Sequence, residues 1–198
     1  DRWLARALRR GGEVGDPQAL ALAHEAAGVA ASNRDRLEEA QDHLGRARTL
    51  FDTAGDAGAA AVTTGNLGVL QSKQGRHPEA LVLYREYLRR SREMGDPAGA
   101  AKALLNIGWT ATTLRSFPEA ESALGEALRL HEESGDRHGT AMSHHNLGLL
   151  RFAMEEPEPA REHLIRAGVT MDEIGDIRGT FTALFFLGQV AESAHRPQ

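Results

Sequence analysis

Small and apolar residues return along this chain at a fixed interval of 40. Leu67, Ile107, Leu147 and Leu187 each precede a glycine, Gly68, Gly108, Gly148 and Gly188, and Gly28 stands in the same register. A second series, Ala40, Ala80, Ala120 and Ala160, is followed four residues on by Leu44, Tyr84, Leu124 and Leu164. Apolar positions three and four apart, with polar residues between them, describe a helix with one buried side. The spacing predicts first helices over about 17–32, 57–73, 97–113, 137–153 and 177–193, and second helices over about 37–53, 77–93, 117–133 and 157–173. Glycine inside a helix costs about 1 kcal/mol relative to Ala. Its recurrence therefore points to a close crossing, with glycine of the first helix expected to face alanine of the second.

Gly-Asp recurs at Gly15-Asp16, Gly55-Asp56, Gly95-Asp96, Gly135-Asp136 and Gly175-Asp176. Glycine just past a helix end closes it in the left-handed conformation, and the following Asp accepts the free amides of the next helix. Pro17 and Pro97 then fall in a first turn, where proline loses no hydrogen bond. Shorter breaks lie at 33–36, 74–77, 115–117 and 155–157, and Asp35 with Glu38 and Ser116 with Glu119 have capping-box spacing. The chain divides into a half-repeat over 1–14, full repeats over 15–54, 55–94, 95–134 and 135–174, and a half-repeat over 175–198. In the first half-repeat, Trp3, Leu4 and Leu8 fall in register with Leu83, Tyr84 and Leu88 of a second helix. A pattern that begins and stops mid-repeat is expected of a piece of a longer protein. Pro157, Pro159 and Gly168 depart from the pattern and put the fourth second helix in question.

Composition narrows the function classes. Aromatic residues make up 5% and cysteine is missing, so packing must come from Leu and Ala, and no disulfide or thiol chemistry is available. The net charge of −5 is spread along the chain, which argues against direct nucleic-acid binding. No apolar run approaches the roughly 20 residues of a membrane span, and DRWLARALRR does not suit a secretion signal, so the cytoplasm is the expected compartment. Of the nine histidines, His131, His138, His144 and His145 are the metal candidates. His144 and His145 point about 100° apart on a helix and no i, i+4 His pair with a carboxylate recurs, so no local metal site is expected. Gly11-Gly12 lacks a following Gly-Lys-Ser, no nucleophile elbow occurs, and Glu132-Glu133 and Glu155-Glu156 read as exposed helix-end or turn residues. Neither an enzyme nor a cofactor is expected.

Leu67-Gly68, Ala80 and Tyr84 carry a signature that resembles the tetratricopeptide repeat. Asn66-Leu67-Gly68, Glu79-Ala80 and Gly95-Asp96 are similar to its 40-residue variety, found in the C-terminal sensor halves of bacterial signal-transduction ATPases and of LuxR-type or antibiotic-regulatory transcription factors. Trp3-Leu4 with Ala7-Leu8 also resembles the way such halves begin. The resemblance implies an all-α, right-handed superhelical solenoid of nine to ten helices in antiparallel pairs, a single domain over 1–198. It implies a cytoplasmic protein- or peptide-interaction or ligand-sensing module, the regulatory part of a bacterial signalling or transcription-regulating protein. The alternative is a scaffold that self-associates through its terminal repeats.

First helices line the concave groove of such solenoids. Register places Val62, Asn66, Val69 and Lys73 there, then Lys102, Asn106, Trp109 and Thr113, then Met142, Asn146, Leu149 and Ala153, with Thr182, Phe186 and Gln189 last. Asn66, Asn106 and Asn146 each precede the apolar-Gly pair, although Asn has no advantage in a helix. One reading is an amide ladder that bonds the main chain of an extended partner, with Trp109 and Leu149 adding apolar contact. In the other, the amides and Trp109 serve packing between repeats. Ala26 and Phe186 stand at the ladder position in the outer repeats.

Overall fold

The structure is a computed structural model that describes residues 16–194. The segment with Trp3, Leu4 and Leu8, together with Gly11, Gly12 and Gly15, lies outside the described residues. Among them nine helices follow one another: α1 (Pro17–Asn33), α2 (Leu37–Ala54), α3 (Ala57–Lys73), α4 (His77–Glu93), α5 (Pro97–Thr113), α6 (Phe117–Ser134), α7 (Arg137–Ala153), α8 (Pro157–Glu173) and α9 (Ile177–Ala194). The fold class is an all-α solenoid of helix pairs.

Each Gly-Asp pair closes one helix and opens the next. Gly55, Gly95, Gly135 and Gly175 have φ of 75°, 65°, 69° and 75°. The following Asp amide donates back to the closing helix, at 2.9 Å to Phe51 O, 2.8 Å to Ser91 O, 2.9 Å to His131 O and 2.8 Å to Met171 O. The same Asp caps forward through Oδ1, accepting from the amides of Ala59, Gly99, Gly139 and Gly179 at 2.9–3.0 Å.

The turn inside each repeat is built differently from the expected capping boxes. Asp35, Gly75, Arg115 and Glu155, 40 residues apart, have φ of 60°, 74°, 57° and 63°. The next residue donates to the first helix, as in Ser116 N to Ala111 O at 2.8 Å. Asp35 is therefore a left-handed helix stop, and Arg36 is the residue that precedes α2. Ser116 makes no side-chain cap, and Pro118 removes an amide that such a cap would use. Only Gly75 marked this position in the sequence, because the other three adopt the left-handed region at a cost of about 1 kcal/mol.

The described residues fall into two compact units that divide within α5, between Gly99 and Ala100. In the first, α1, α2, α3 and α4 pack successively; in the second, α6, α7, α8 and α9 do so. The crossings are close, but glycine does not face alanine. A Cβ at Gly28 would lie 2.7 Å from Leu44 Cγ, at Gly68 2.6 Å from Tyr84 Cε1, at Gly108 2.4 Å from Leu124 Cγ, and at Gly148 2.7 Å from Leu164 Cγ. The glycine receives the large residue one turn after the alanine, while Ala40, Ala80, Ala120 and Ala160 are themselves completely buried. Leu44 packs with Ala31, Leu67 and Leu70, and Leu124 with Ala111, Leu147 and Leu150. In the fourth repeat the prolines occupy the first turn of α8, which forms intact, and a Cβ at Gly168 would meet only Ala183 Cβ at 3.5 Å.

Candidate partner-binding surface

In the first unit, α1 and α3 bury one side and leave another bare. Ala60, Leu67 and Leu70 enter the core, so Val62 and Val69 project elsewhere, 44% and 37% exposed. Leu22 and Val29, their counterparts 40 residues earlier in α1, are 55% and 37% exposed. Asn66 lies between Val62 and Val69, half-buried, and its Nδ2 donates to Glu25 Oε1 of α1 at 3.3 Å. Thr63 Oγ1 lies 2.8 Å from the same oxygen. Asn66 thus ties one repeat to the next. Lys73 is exposed, and its Nζ donates to Ser32 O at 3.0 Å, where a cation suits the carbonyl end of α1.

In the second unit, Trp109 is 41% exposed and Lys102 is exposed, while Asn106, Met142 and Leu149 are half-buried. Asn146 is 8% exposed, so the expected amide ladder loses its third rung. The adjacent His145 meets Phe186 of α9 edge-on with ring centroids 5.6 Å apart. Phe186, expected as a contact residue, packs beside the core group of Ala160, Leu164 and Val190. An unforeseen feature is the stripe of Ile177, Phe181, Leu184 and Phe185, all exposed on α9. At the position of Phe181 the preceding repeat carries Ala141, fully buried against Ala167 and Met171 of α8.

Sequence reasoning also missed two histidine pairs. His24 of α1 and His43 of α2 bring their Nδ1 atoms to 2.8 Å, and His144 of α7 and His163 of α8 bring theirs to 3.0 Å. The signal was present as two histidines that recur together 120 residues on. Burial holds His144 down at about 4, reinforced by His163 and Arg166 and opposed by Glu162. Burial also lowers His24, with His43 and Arg46 acting the same way, and lowers His163, with Arg151 and Arg166. His131 is lowered by burial and shares its Nδ1 with Ser143 Oγ at 3.0 Å, and His145 is lowered by burial alone. The described residues contain no cluster of three or more His, Asp or Glu placed to hold a metal. None of their helices is long and apolar enough to cross a membrane.

The tetratricopeptide repeat profile matches residues 18–93 and 98–167. The chain belongs to the tetratricopeptide repeat family. No curated protein matches its sequence significantly. Among solved structures, BtubC (BKLC) from P. vanneervenii is 18% identical with a TM-score of 0.74, the alignment covering 100% of this chain and 92% of that one. A signal transduction ATPase with numerous domains (STAND) from Pyrococcus horikoshii, which has a tetratricopeptide repeat sensor, is 19% identical with a TM-score of 0.76. That alignment covers 87% of this chain and 27% of the ATPase. The TPR2AB domain of yeast Sti1, solved as a complex with pHSP90, is 17% identical with a TM-score of 0.55, covering 95% of this chain and 76% of that one. At these identities the likeness is one of fold.

Proposed function

We propose that the bare side of the first helices binds a protein or peptide, as the regulatory part of a cytoplasmic signalling or transcription-regulating protein. The observation that carries this reading is the recurrence of exposed apolar side chains at two repeat positions seven residues apart, Leu22 and Val62 at one and Val29, Val69 and Trp109 at the other. The core does not use them, and apolar patches of this kind mark interaction surfaces. In the first unit Asn66 and Lys73 complete the candidate surface; in the second, Lys102, Asn106, Met142 and Leu149 join Trp109 as candidates, with Asn146 and Phe186 less exposed. The kinship in fold to a STAND sensor and to the pHSP90-bound Sti1 domain supports the reading by analogy.

The test is selection from a displayed library of random extended peptides against the whole chain. Binders that lose at least tenfold in affinity on Val69→Asp or Trp109→Ala, at unchanged melting temperature, support the surface. Failure to select binders, or binders indifferent to both substitutions, refutes it. The α9 stripe favours a second reading, self-association. That reading predicts a mass above the monomer by light scattering, restored to the monomer by Phe181→Asp.

A further inference from the structure

Four positions of a second helix cover the first helix of its repeat. On α7 they are His163 against His144, Leu164 in the hollow of Gly148, and Ala167 with Met171 against Ala141. On α1 they are His43 against His24, Leu44 in the hollow of Gly28, and Ala47 with Phe51 against Ala21. The first helix α9 offers Leu184, Gly188 and Phe181 at the corresponding places. Leu184 and Phe181 are exposed, and a Cβ at Gly188 would meet nothing within 4 Å. The stripe on α9 is thus an open seat for a second helix. It is open in the single chain, which leaves it to another.

Residues 1–14 carry the matching set in their sequence, with Trp3, Leu4, Ala7 and Gly11 at the four covering positions. Leu4 corresponds to Leu44 and Leu164, the residues that fill the glycine hollow, and Trp3 corresponds to the partner of Leu184. Size is exchanged at the remaining place. Small Ala21 and Ala141 meet large Phe51 and Met171, whereas large Phe181 is matched by small Gly11, a swap that conserves volume between the helices. Charge matches as well. Arg90 of α4 pairs with Asp52 of α2, the second helix one repeat earlier, at 2.9 Å. Arg10 and Asp172 hold the same two positions, so residues 1–14 seated on α9 bring Arg10 to the exposed Asp172 of α8. At the other repeats these positions hold Leu130 with Arg92 and Thr170 with Glu132, which form no ion pair.

We propose that residues 1–14 of one copy dock as a second helix on α9 of another, a head-to-tail contact between copies of this chain. Such a contact is heterologous: every pair retains one free segment and one free seat, so association continues beyond the dimer. The inference rests on the self-association reading and names what meets α9.

The experiment is light scattering and sedimentation of the whole chain over a range of concentrations, beside Leu4→Asp, Phe181→Asp and their equimolar mixture. The parent should gain mass with concentration, and each variant alone should remain a monomer. The mixture should form a one-to-one dimer and stop there, because the Leu4→Asp copy keeps an intact seat and the Phe181→Asp copy an intact segment. A monomeric parent overturns the proposal together with the self-association reading. A parent that associates while Leu4→Asp associates equally, or a mixture that stays monomeric, overturns the proposal alone. If Leu4→Asp disturbs folding, the surface pair decides. Arg10→Glu should weaken association of the chain about threefold, and Asp172→Arg added to it should restore the parent's behaviour; no weakening, or no rescue, overturns the proposal.

Discussion

Gly108 and Gly188 occupy one position of the repeat, 80 residues apart, yet the same substitution should move stability in opposite directions at the two sites. Replacement by Ala removes the helical penalty of glycine, a gain of about 1 kcal/mol at either position. At Gly108 the new Cβ would lie 2.4 Å from both Cγ and Cδ2 of Leu124. Ordinary carbon contacts are about 3.5–4.0 Å, so Leu124 must retreat by about 1 Å. It has nowhere to go, being fully buried against Ala111, Leu147 and Leu150. Overpacking of this kind costs about 1–3 kcal/mol, which outweighs the propensity gain. We expect Gly108→Ala to lose about 1 kcal/mol and Gly108→Leu about 3 kcal/mol, at about 2–4 °C of Tm per kcal/mol for a chain of this size. At Gly188 a Cβ would meet nothing within 4 Å, so Gly188→Ala should gain up to about 1 kcal/mol. Urea and thermal melts followed by circular dichroism read both. A Gly108→Ala variant as stable as the parent, or a Gly188→Ala variant less stable, would refute the packing account.

Glu155→Gly relieves a left-handed φ of 63° and should raise Tm by about 1 kcal/mol equivalent, whereas a fall would show that the turn is not strained. Asp136→Ala removes the acceptor that holds Gly139 N at 2.9 Å and should cost about 1 kcal/mol in denaturant melts, with unchanged stability counting against the cap. The folded chain binds a proton at His144 less readily than the unfolded chain, the value falling from 6.5 to about 4. Stability from this group is therefore unaffected above pH 6.5 and is lost as pH falls from there toward 4, by about 1–2 kcal/mol after allowance for water at the half-buried partner ring. The Tm difference between the parent and His144→Leu, measured from pH 7 to 4.5, should shift in favour of the variant as pH falls, and a pH-independent difference would contradict it.

The sequence by itself determined the helices and most of their ends. A period of 40 with Gly-Asp at each close is local chemistry: left-handed closure and amide capping need only the residues within one turn, so Gly55, Asp56 and their repeats were readable in isolation. The existence of a close crossing was also readable from the cost of Gly68 and Gly108 inside helices. What faces those glycines was decided by tertiary structure, because side chains on α2, α4, α6 and α8 lean toward the preceding turn and deliver Leu44, Tyr84, Leu124 and Leu164, not the alanines. Tertiary structure likewise decided that Asp35, Arg115 and Glu155 take a glycine's conformation, a strain that surrounding packing imposes and residue type does not announce. The candidate surface divides along the same line. Register alone put Val62, Val69 and Trp109 outward, but whether an amide at the next position reaches a partner or a neighbour depends on what the adjacent helix offers. Asn66 found Glu25, Asn146 sank beneath the surface, and His24 met His43 nineteen residues away, since burial and pairing are properties of two helices together and periodicity describes each helix alone.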